Sequence, residues 1–112
     1  MKQYICGLDA AVDLIGGKWT VLIIWAISTK SRRFGELRRM VSGVSEKMLY
    51  QQLRKMEAND LIHREVFDEV PARVEYSLTD LGSSLNKALI PLNEWGTQRM
   101  EDTGSAGVCP FK

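Results

Sequence analysis

The segment Arg33–Ile62, RFGELRRMVSGVSEKMLYQQLRKMEANDLI, decides how this chain folds. Its first part, Phe34–Met40, has apolar residues at three- and four-residue steps, which is the period of an α-helix. The stretch Val41–Val44 interrupts that period, and Gly43 can adopt the positive φ that a tight turn needs. Ser45 has the side chain of a helix N-cap. The segment therefore predicts two helices joined by a short turn.

The predicted second helix has two unlike sides. An apolar stripe, expected in the core, consists of Leu49, Leu53 and Met56. At about 100° per residue, the opposite side carries long side chains rich in hydrogen-bond donors. These are Lys47, Gln51 and Arg54, with Tyr50 beside them. On an isolated helix they would be an ordinary solvated surface, but after a first helix and a turn they favour contact with the base edges and phosphates of a DNA major groove.

The charge is distributed unevenly along the chain. The 112 residues include 15 Lys or Arg and 14 Asp or Glu, and this net charge of +1 alone says nothing about nucleic acid. Residues 18–64, however, carry ten Lys or Arg against four acids, whereas the remaining residues carry five against ten. A basic two-helix unit with acidic flanks is the pattern of one surface that meets phosphates.

Composition indicates a single globular domain and argues against catalysis. Apolar residues make up 45% of the chain and charged residues 26%, which are ordinary values. The longest apolar run, Val21–Ile27, is too short for a hydrocarbon core of about 30 Å, and no secretory signal is apparent, so a cytoplasmic protein without membrane contact is expected. Cys6, Cys109 and His63 have no metal-ligand spacing, and Gly16–Lys18 lacks the spacing of a phosphate-binding loop. We expect no metal, no cofactor and no enzymatic activity.

The flanking segments predict further helices and a hairpin. Helices are expected at Leu8–Ile15 and Lys18–Ser28, with two glycines ending the first. In the second helix, Trp19 and Trp25 are interpreted as core packing. After the two-helix unit the apolar period changes from 3.6 to 2, which predicts strands at the two segments Ile62–Phe67 and Arg73–Leu78.

Thr79 is expected to cap a long C-terminal helix with more apolar surface than one stripe. Its apolar residues are Leu81, Leu85, Ala88, Leu89, Ile90, Leu92, Trp95 and Met100. A terminal helix of this kind is typical of contact with a second chain, and covering the chain's own core is the simpler alternative. Residues 1–100 are expected to form one domain, and residues 101–112, which are small and polar, a flexible tail.

Three segments together resemble the HxlR-type winged helix-turn-helix regulators. They are LIGGKWTVLII, RRFGELRRMVSGVSEKMLYQQLRKMEANDLIHREV and EVPARVEYSLTDLGSSL, within a resemblance that runs from Cys6 to about Gly96. The resemblance implies a mainly α fold with a two-stranded β-hairpin (α+β), a winged helix-turn-helix with extra N- and C-terminal dimerisation helices. It also implies a bacterial transcription factor, a homodimer on double-stranded DNA with a pseudo-palindromic operator. The recognition helix would enter the major groove and the wing would lie at the backbone or minor groove, while any small-molecule effector stays unspecified.

The resemblance and the helix sides together give the expected contact residues. Since Asp68 and Glu69 at the wing tip would be repelled by phosphate, Arg64 and Arg73 are the expected wing contacts. The full set of expected DNA contacts is Arg33, Ser45, Lys47, Tyr50, Gln51, Arg54, Arg64 and Arg73. The expected dimer contacts are Leu8, Leu85, Leu89, Leu92 and Trp95.

Cys6 occupies the position of a cysteine that the family carries just before its first helix. In some relatives that thiol senses oxidants or electrophiles, so a redox sensor is an alternative function. Gly7 stands where family members often have proline. The simpler interpretation of Cys6 is a partly buried residue near the dimer contact, and no structural disulfide with Cys109 is expected because a cytosol keeps thiols reduced. A third alternative uses the winged helix only as a protein–protein interaction module.

Overall fold

The computed structural model of the chain describes residues 2–105. In this range five helices and two strands follow one another as α1 (Gly7–Ile15), α2 (Lys18–Ile27), α3 (Phe34–Met40), α4 (Glu46–Ala58), β1 (Ile62–Phe67), β2 (Arg73–Leu78) and α5 (Asp80–Thr103). The two strands form an antiparallel hairpin, called the wing below. The architecture is the predicted winged helix-turn-helix with additional helices at both ends.

Local sequence fixes where the helices begin and end. Gly16 ends α1 in the left-handed region with φ 71°, and Gly43 has φ 91° in the turn between α3 and α4, as predicted. Ser45 and Thr79 cap α4 and α5. Each hydroxyl accepts a hydrogen bond from the backbone N–H three residues later, at 3.1 Å and 3.0 Å. Both caps satisfy a backbone donor that the first turn of a helix leaves free.

The core is built around α2, which contacts each of the other four helices and β2. A helix that is apolar nearly all round is typical of such a central position. Its buried apolar side chains meet the predicted stripe of α4, which is buried as expected. The buried apolar residues are Ile23, Ile24, Ala26, Ile27, Leu37, Val41, Val44, Leu49, Leu53, Met56, Leu61, Ile62 and Tyr76.

A third short segment joins the wing to the helices. Arg32 exchanges two backbone hydrogen bonds with Tyr76 of β2, at 2.9 Å and 2.8 Å. The Arg32 side chain turns inward, where Nε donates to the carbonyl oxygen of Ala26 at 2.9 Å and the guanidinium lies 3.7 Å from Glu36. Arg32 therefore ties the chain before α3 to both α2 and the wing, a structural role that the sequence analysis did not assign.

The last helix extends farther than predicted. α5 runs through Pro91 to Thr103, so residues 101–103 at the start of the expected tail are helical. Residues 106–112 lie outside the described range, and the flexibility of the tail stays a prediction. Within residues 2–105 no single helix is long and apolar enough to cross a membrane; α1 and α2 have the length and composition only as a pair, which is bent by 80°.

Candidate nucleic-acid interface

The outward side of α4 carries the polar residues predicted to contact DNA. Lys47, Gln51 and Arg54 are exposed, and Tyr50 retains 43% of its accessible surface. Their spacing places these four side chains within one arc of the helix, opposite the buried stripe. We call them the recognition face. Ser45 lies exposed at the start of the same helix.

Most cations beside the recognition face are free of acidic partners. Among residues 2–105, no ion pair involves Arg33, Lys47, Arg54 or Arg64. Arg38 of α3, in contrast, lies 3.5 Å from Glu46, in an exposed pair that water screens strongly. The four unpaired charges are available to phosphate oxygens.

A groove of about 310 Å³ separates α4 from the wing. It is lined by Tyr50, Leu53, Arg54, Glu57, Arg64 and Tyr76. Two guanidinium groups supply donors of the kind that bind phosphate and carboxylate oxygens, and one carboxylate opposes them. The structure thus places Arg64 of β1 beside the recognition helix, where the sequence predicts a wing contact.

Arg73 is not available in the same way. Its guanidinium lies 2.9 Å from Glu69 and 3.3 Å from Glu75, and it stacks over Phe67 at 3.9 Å from the ring centroid. Only 29% of its side chain is exposed. Because two carboxylates already compensate its charge, Arg73 is a weaker candidate for a phosphate contact than the unpaired Arg64, and the contact expected at Arg73 stays a prediction. In the wing, Arg64 is the better candidate.

The start of α3 is held by Glu36. The backbone N–H of Arg33 donates to Glu36 Oε1 at 3.0 Å, which satisfies a free donor before the first turn. This hydrogen bond holds the pKa of Glu36 below its ordinary value of 4.5, with help from the charges of Lys30, Arg32 and Arg39 and against the effect of burial. The backbone at Arg33 is therefore fixed, while the Arg33 side chain is exposed.

Cys6 is a free, exposed thiol immediately before α1. Its own chain does not cover it, and the expected partial burial near the dimer contact stays a prediction. The segment in front of it is tied to α1, since the Tyr4 hydroxyl and Lys2 Nζ donate to one carboxylate oxygen of Asp13, at 2.7 Å and 3.0 Å. These two bonds hold the pKa of Asp13 below its ordinary value. Cys109 lies outside the described residues, so the absence of a structural disulfide stays a prediction.

The terminal helices leave large apolar side chains uncovered. Three predicted dimer contacts, Leu8, Leu92 and Trp95, are 73%, 60% and 68% exposed. The other two, Leu85 and Leu89, are half-buried and pack against the core of their own chain. The sequence analysis missed two further exposed residues at the N-terminal end, Ile5 and Val12. We call the exposed set of Ile5, Leu8, Val12, Leu92 and Trp95 the terminal apolar surface.

A second groove, of about 230 Å³, lies between α2 and α5. It is lined by Val21, Leu22, Trp25, Leu89, Leu92 and Asn93, which makes it almost entirely apolar. Trp19 packs against the core as expected. Trp25, expected in the core as well, is only half-buried and opens onto this groove instead.

The whole arrangement is similar to that of known regulators. The HxlR-like helix-turn-helix family model matches residues 14–103. The uncharacterized HTH-type transcriptional regulator YkvN of Bacillus subtilis (strain 168) is 38% identical over 107 residues, which are 96% of this chain and 91% of YkvN. The redox regulator HypR in its reduced form superposes with a TM-score of 0.82 at 36% identity, over 90% of this chain and 100% of that one. Diamide-treated YodB from B. subtilis superposes with a TM-score of 0.71 at 31% identity, over 86% and 96%. The chain belongs to the HxlR-like helix-turn-helix family and is a transcriptional regulator.

Proposed function

We propose that this chain is a sequence-specific DNA-binding regulator that acts as a homodimer in the cytoplasm. One α4 per subunit enters each of two successive major grooves of a pseudo-palindromic operator, and the wing lies beside the backbone or minor groove. The observation that carries the proposal is the recognition face. Its polar side chains point away from the core because Leu49 and Leu53, on the opposite side of α4, are buried in the core.

The residues of the interface divide into two kinds of contact. Gln51 and Arg54 lie in the middle of α4, on its outward side, where Gln can bond adenine and Arg can bond guanine through two atoms each. Arg33, Lys47 and Arg64 carry unpaired charges around that helix, and we assign them to phosphate oxygens. Phosphate contacts position the protein on the duplex, whereas base contacts select the sequence.

The phosphate assignment is tested by the salt dependence of binding. Arg33→Ala and Lys47→Ala are expected to weaken binding to every duplex alike. Each should reduce the slope of log K against log salt by about two units, because each removes one phosphate contact from both subunits of the dimer. Arg73→Gln is the matched control, since it removes a charge that Glu69 and Glu75 already compensate. Fluorescence anisotropy with a random-sequence duplex measures these slopes.

An unchanged slope in Arg33→Ala and Lys47→Ala, or a slope reduced equally in Arg73→Gln, would contradict the phosphate assignment. Salt-independent or absent DNA binding by the wild-type protein would instead favour the protein–protein interaction module.

The dimer is proposed to form through the terminal apolar surface. Exposed Trp95, Leu92 and Leu8 provide the aromatic and aliphatic anchors that dominate protein interfaces. Trp95→Ala is expected to raise the dimer dissociation constant by about tenfold, since truncation of a central anchor costs more than about 1 kcal/mol. Val66→Ala is the control, because Val66 is an exposed apolar residue of the wing. Sedimentation velocity measures both, and a wild-type monomer at micromolar concentration would contradict the proposal.

A response of the same regulator to oxidants or electrophiles is a second candidate function. The exposed thiol of Cys6 favours it, because reactive cysteines must be accessible. HypR, which this chain resembles, is described as a redox regulator. Cys6→Ser is then expected to keep its DNA affinity in reductant and to lose the change in affinity that diamide causes in the wild-type protein. A diamide effect that persists in Cys6→Ser would rule Cys6 out as the sensor, and Cys109→Ser serves as the control.

A further inference from the structure

We propose that Phe34 is a positioning residue for DNA binding, which holds the Tyr50 ring so that the Tyr50 hydroxyl donates a hydrogen bond to a phosphate oxygen. The inference rests on the proposed function and deepens it. Phe34 and Tyr50 stack across the junction of α3 and α4, with ring centroids 4.0 Å apart and ring planes at 17°. The two rings are therefore in close, nearly parallel contact, and aromatic pairs contribute favourable energy beyond the area they bury.

Phe34 is the fixed member of the pair. It is the first residue of α3 and its half-buried side chain packs against the core. The backbone in front of it is held twice, by the two Arg32–Tyr76 hydrogen bonds and by the Arg33 N–H bond to Glu36. The Phe34 ring therefore has little freedom to follow a moving neighbour.

Tyr50 is the exposed member, and its polar end is unused. It lies one helical turn after Lys47 and one before Arg54, and it lines the groove that Arg64 also lines. Among residues 2–105 no hydrogen bond involves the Tyr50 hydroxyl, although a phenol can donate one. Phe34 stacks on one face of the ring, and Tyr50 as a whole is 43% exposed at a groove with two guanidinium groups that make no ion pair among residues 2–105.

A phosphate oxygen is the partner that this setting favours. Arg54 and Arg64 outnumber the one carboxylate of the groove, Glu57, so the groove attracts an anionic group. Tyrosine hydroxyls are regular donors to phosphate. The side chains that read base edges through two atoms are Arg, Lys, Asn and Gln, not Tyr. The contact should therefore strengthen binding to any duplex sequence.

The stack matters because it removes a cost of binding. An exposed tyrosine on a helix samples more than one χ1 rotamer, and DNA binding would have to immobilise it. Stacking on Phe34 favours one χ1 rotamer of Tyr50 already in the DNA-free protein. From the usual energy of an aromatic pair, loss of the stack should weaken DNA binding about two- to tenfold.

A double-mutant cycle tests the proposal, with a random-sequence duplex of about thirty base pairs, long enough for two half-sites. Tyr50→Phe keeps the stack and removes the hydroxyl, and we expect about tenfold weaker binding. Its salt slope should equal that of the wild type because the phenol carries no charge. Phe34→Leu should weaken binding about two- to tenfold in the wild-type background and have no further effect in Tyr50→Phe. Phe34→Tyr, which keeps a ring, should restore binding.

Three results would overturn the proposal. If Phe34→Leu has the same effect with and without the Tyr50 hydroxyl, Phe34 acts through the packing of α3. A changed salt slope in Tyr50→Phe would mean that the variant alters charge contacts. If Phe34→Leu does not fold, the proton chemical shifts of the Tyr50 ring are measured in the free wild-type protein. Stacking on Phe34 predicts upfield shifts, and unshifted signals would exclude the stack and overturn the proposal. If the effects of Phe34→Leu and Tyr50→Phe are independent in a protein that still binds DNA, only the positioning role of Phe34 is overturned. If the wild-type protein shows no salt-dependent DNA binding, the proposed function is overturned too.

Discussion

Gly82→Ala is expected to lower the free energy of unfolding by about 3 kcal/mol, at the upper end of what overpacking costs. Gly82 lies in the first turn of α5, where a Cβ would collide with the carbonyl oxygen of Leu61 and come within 3.2 Å of Leu78 Cδ2. The helix cannot simply move away, because the backbone N–H of Thr79 donates to that same Leu61 oxygen at 3.2 Å. Helix propensity favours alanine over glycine by only about 1 kcal/mol, so the cost of the steric clash with Leu61 exceeds this gain.

The measurement is urea unfolding followed by circular dichroism, at one fixed protein concentration because dimerisation contributes to stability. Gly35→Ala in α3 is the control, since an added Cβ there meets only the flexible end of Arg39, at 3.5 Å. We expect that variant to be as stable as the wild type or slightly more stable. A Gly82→Ala protein with unchanged stability would show that α5 can shift away from Leu61 at no cost.

The elements that sequence predicted well are those whose determinants are local. Ser45 and Thr79 are N-caps, Gly16 and Gly43 take positive φ, and both strands have the predicted bounds. In each case the side chain or the glycine acts on backbone within a few residues. The change of apolar period that predicts the wing is equally local.

The ion pairs of Arg73 could have been predicted from the sequence, because both acidic partners are close to it along the chain. Glu75 is two residues away on the same strand, and side chains at that spacing point to the same side. Glu69 lies just across the loop, and both carboxylates contact the guanidinium. A basic residue with two acidic neighbours at such spacings is a poor candidate for a phosphate contact.

Other features depend on contacts between distant segments and leave no local signal. Phe34 shows the apolar spacing of an α3 core residue, and only the crossing of α3 and α4 brings it onto Tyr50. In the sequence Arg32 is one of several basic residues, and only the structure shows its hydrogen bonds to Tyr76 and Ala26. The need for glycine at position 82 likewise arises from Leu61, which precedes β1.

The central claim is that the recognition face reads base edges. Gln51→Ala and Arg54→Ala should each remove a contact made through two atoms and cost about 1–3 kcal/mol of discrimination in each half-site. Together they should cost about 2–6 kcal/mol per half-site, with some departure from additivity because the two residues lie within one turn. No other substitution in the interface is expected to affect sequence preference as strongly.

The test begins with operator fragments that the wild-type protein selects from genomic DNA. The dissociation constants of the double variant for operator and random duplex are then measured at several salt concentrations. Lys55→Ala is the control, since Lys55 is exposed on α4 outside the recognition face, near Gly16. We predict that the ratio of the two constants falls toward one in the double variant and is preserved in Lys55→Ala. If the double variant weakens both constants by the same factor and leaves their ratio unchanged, Gln51 and Arg54 anchor phosphates and the claim is wrong.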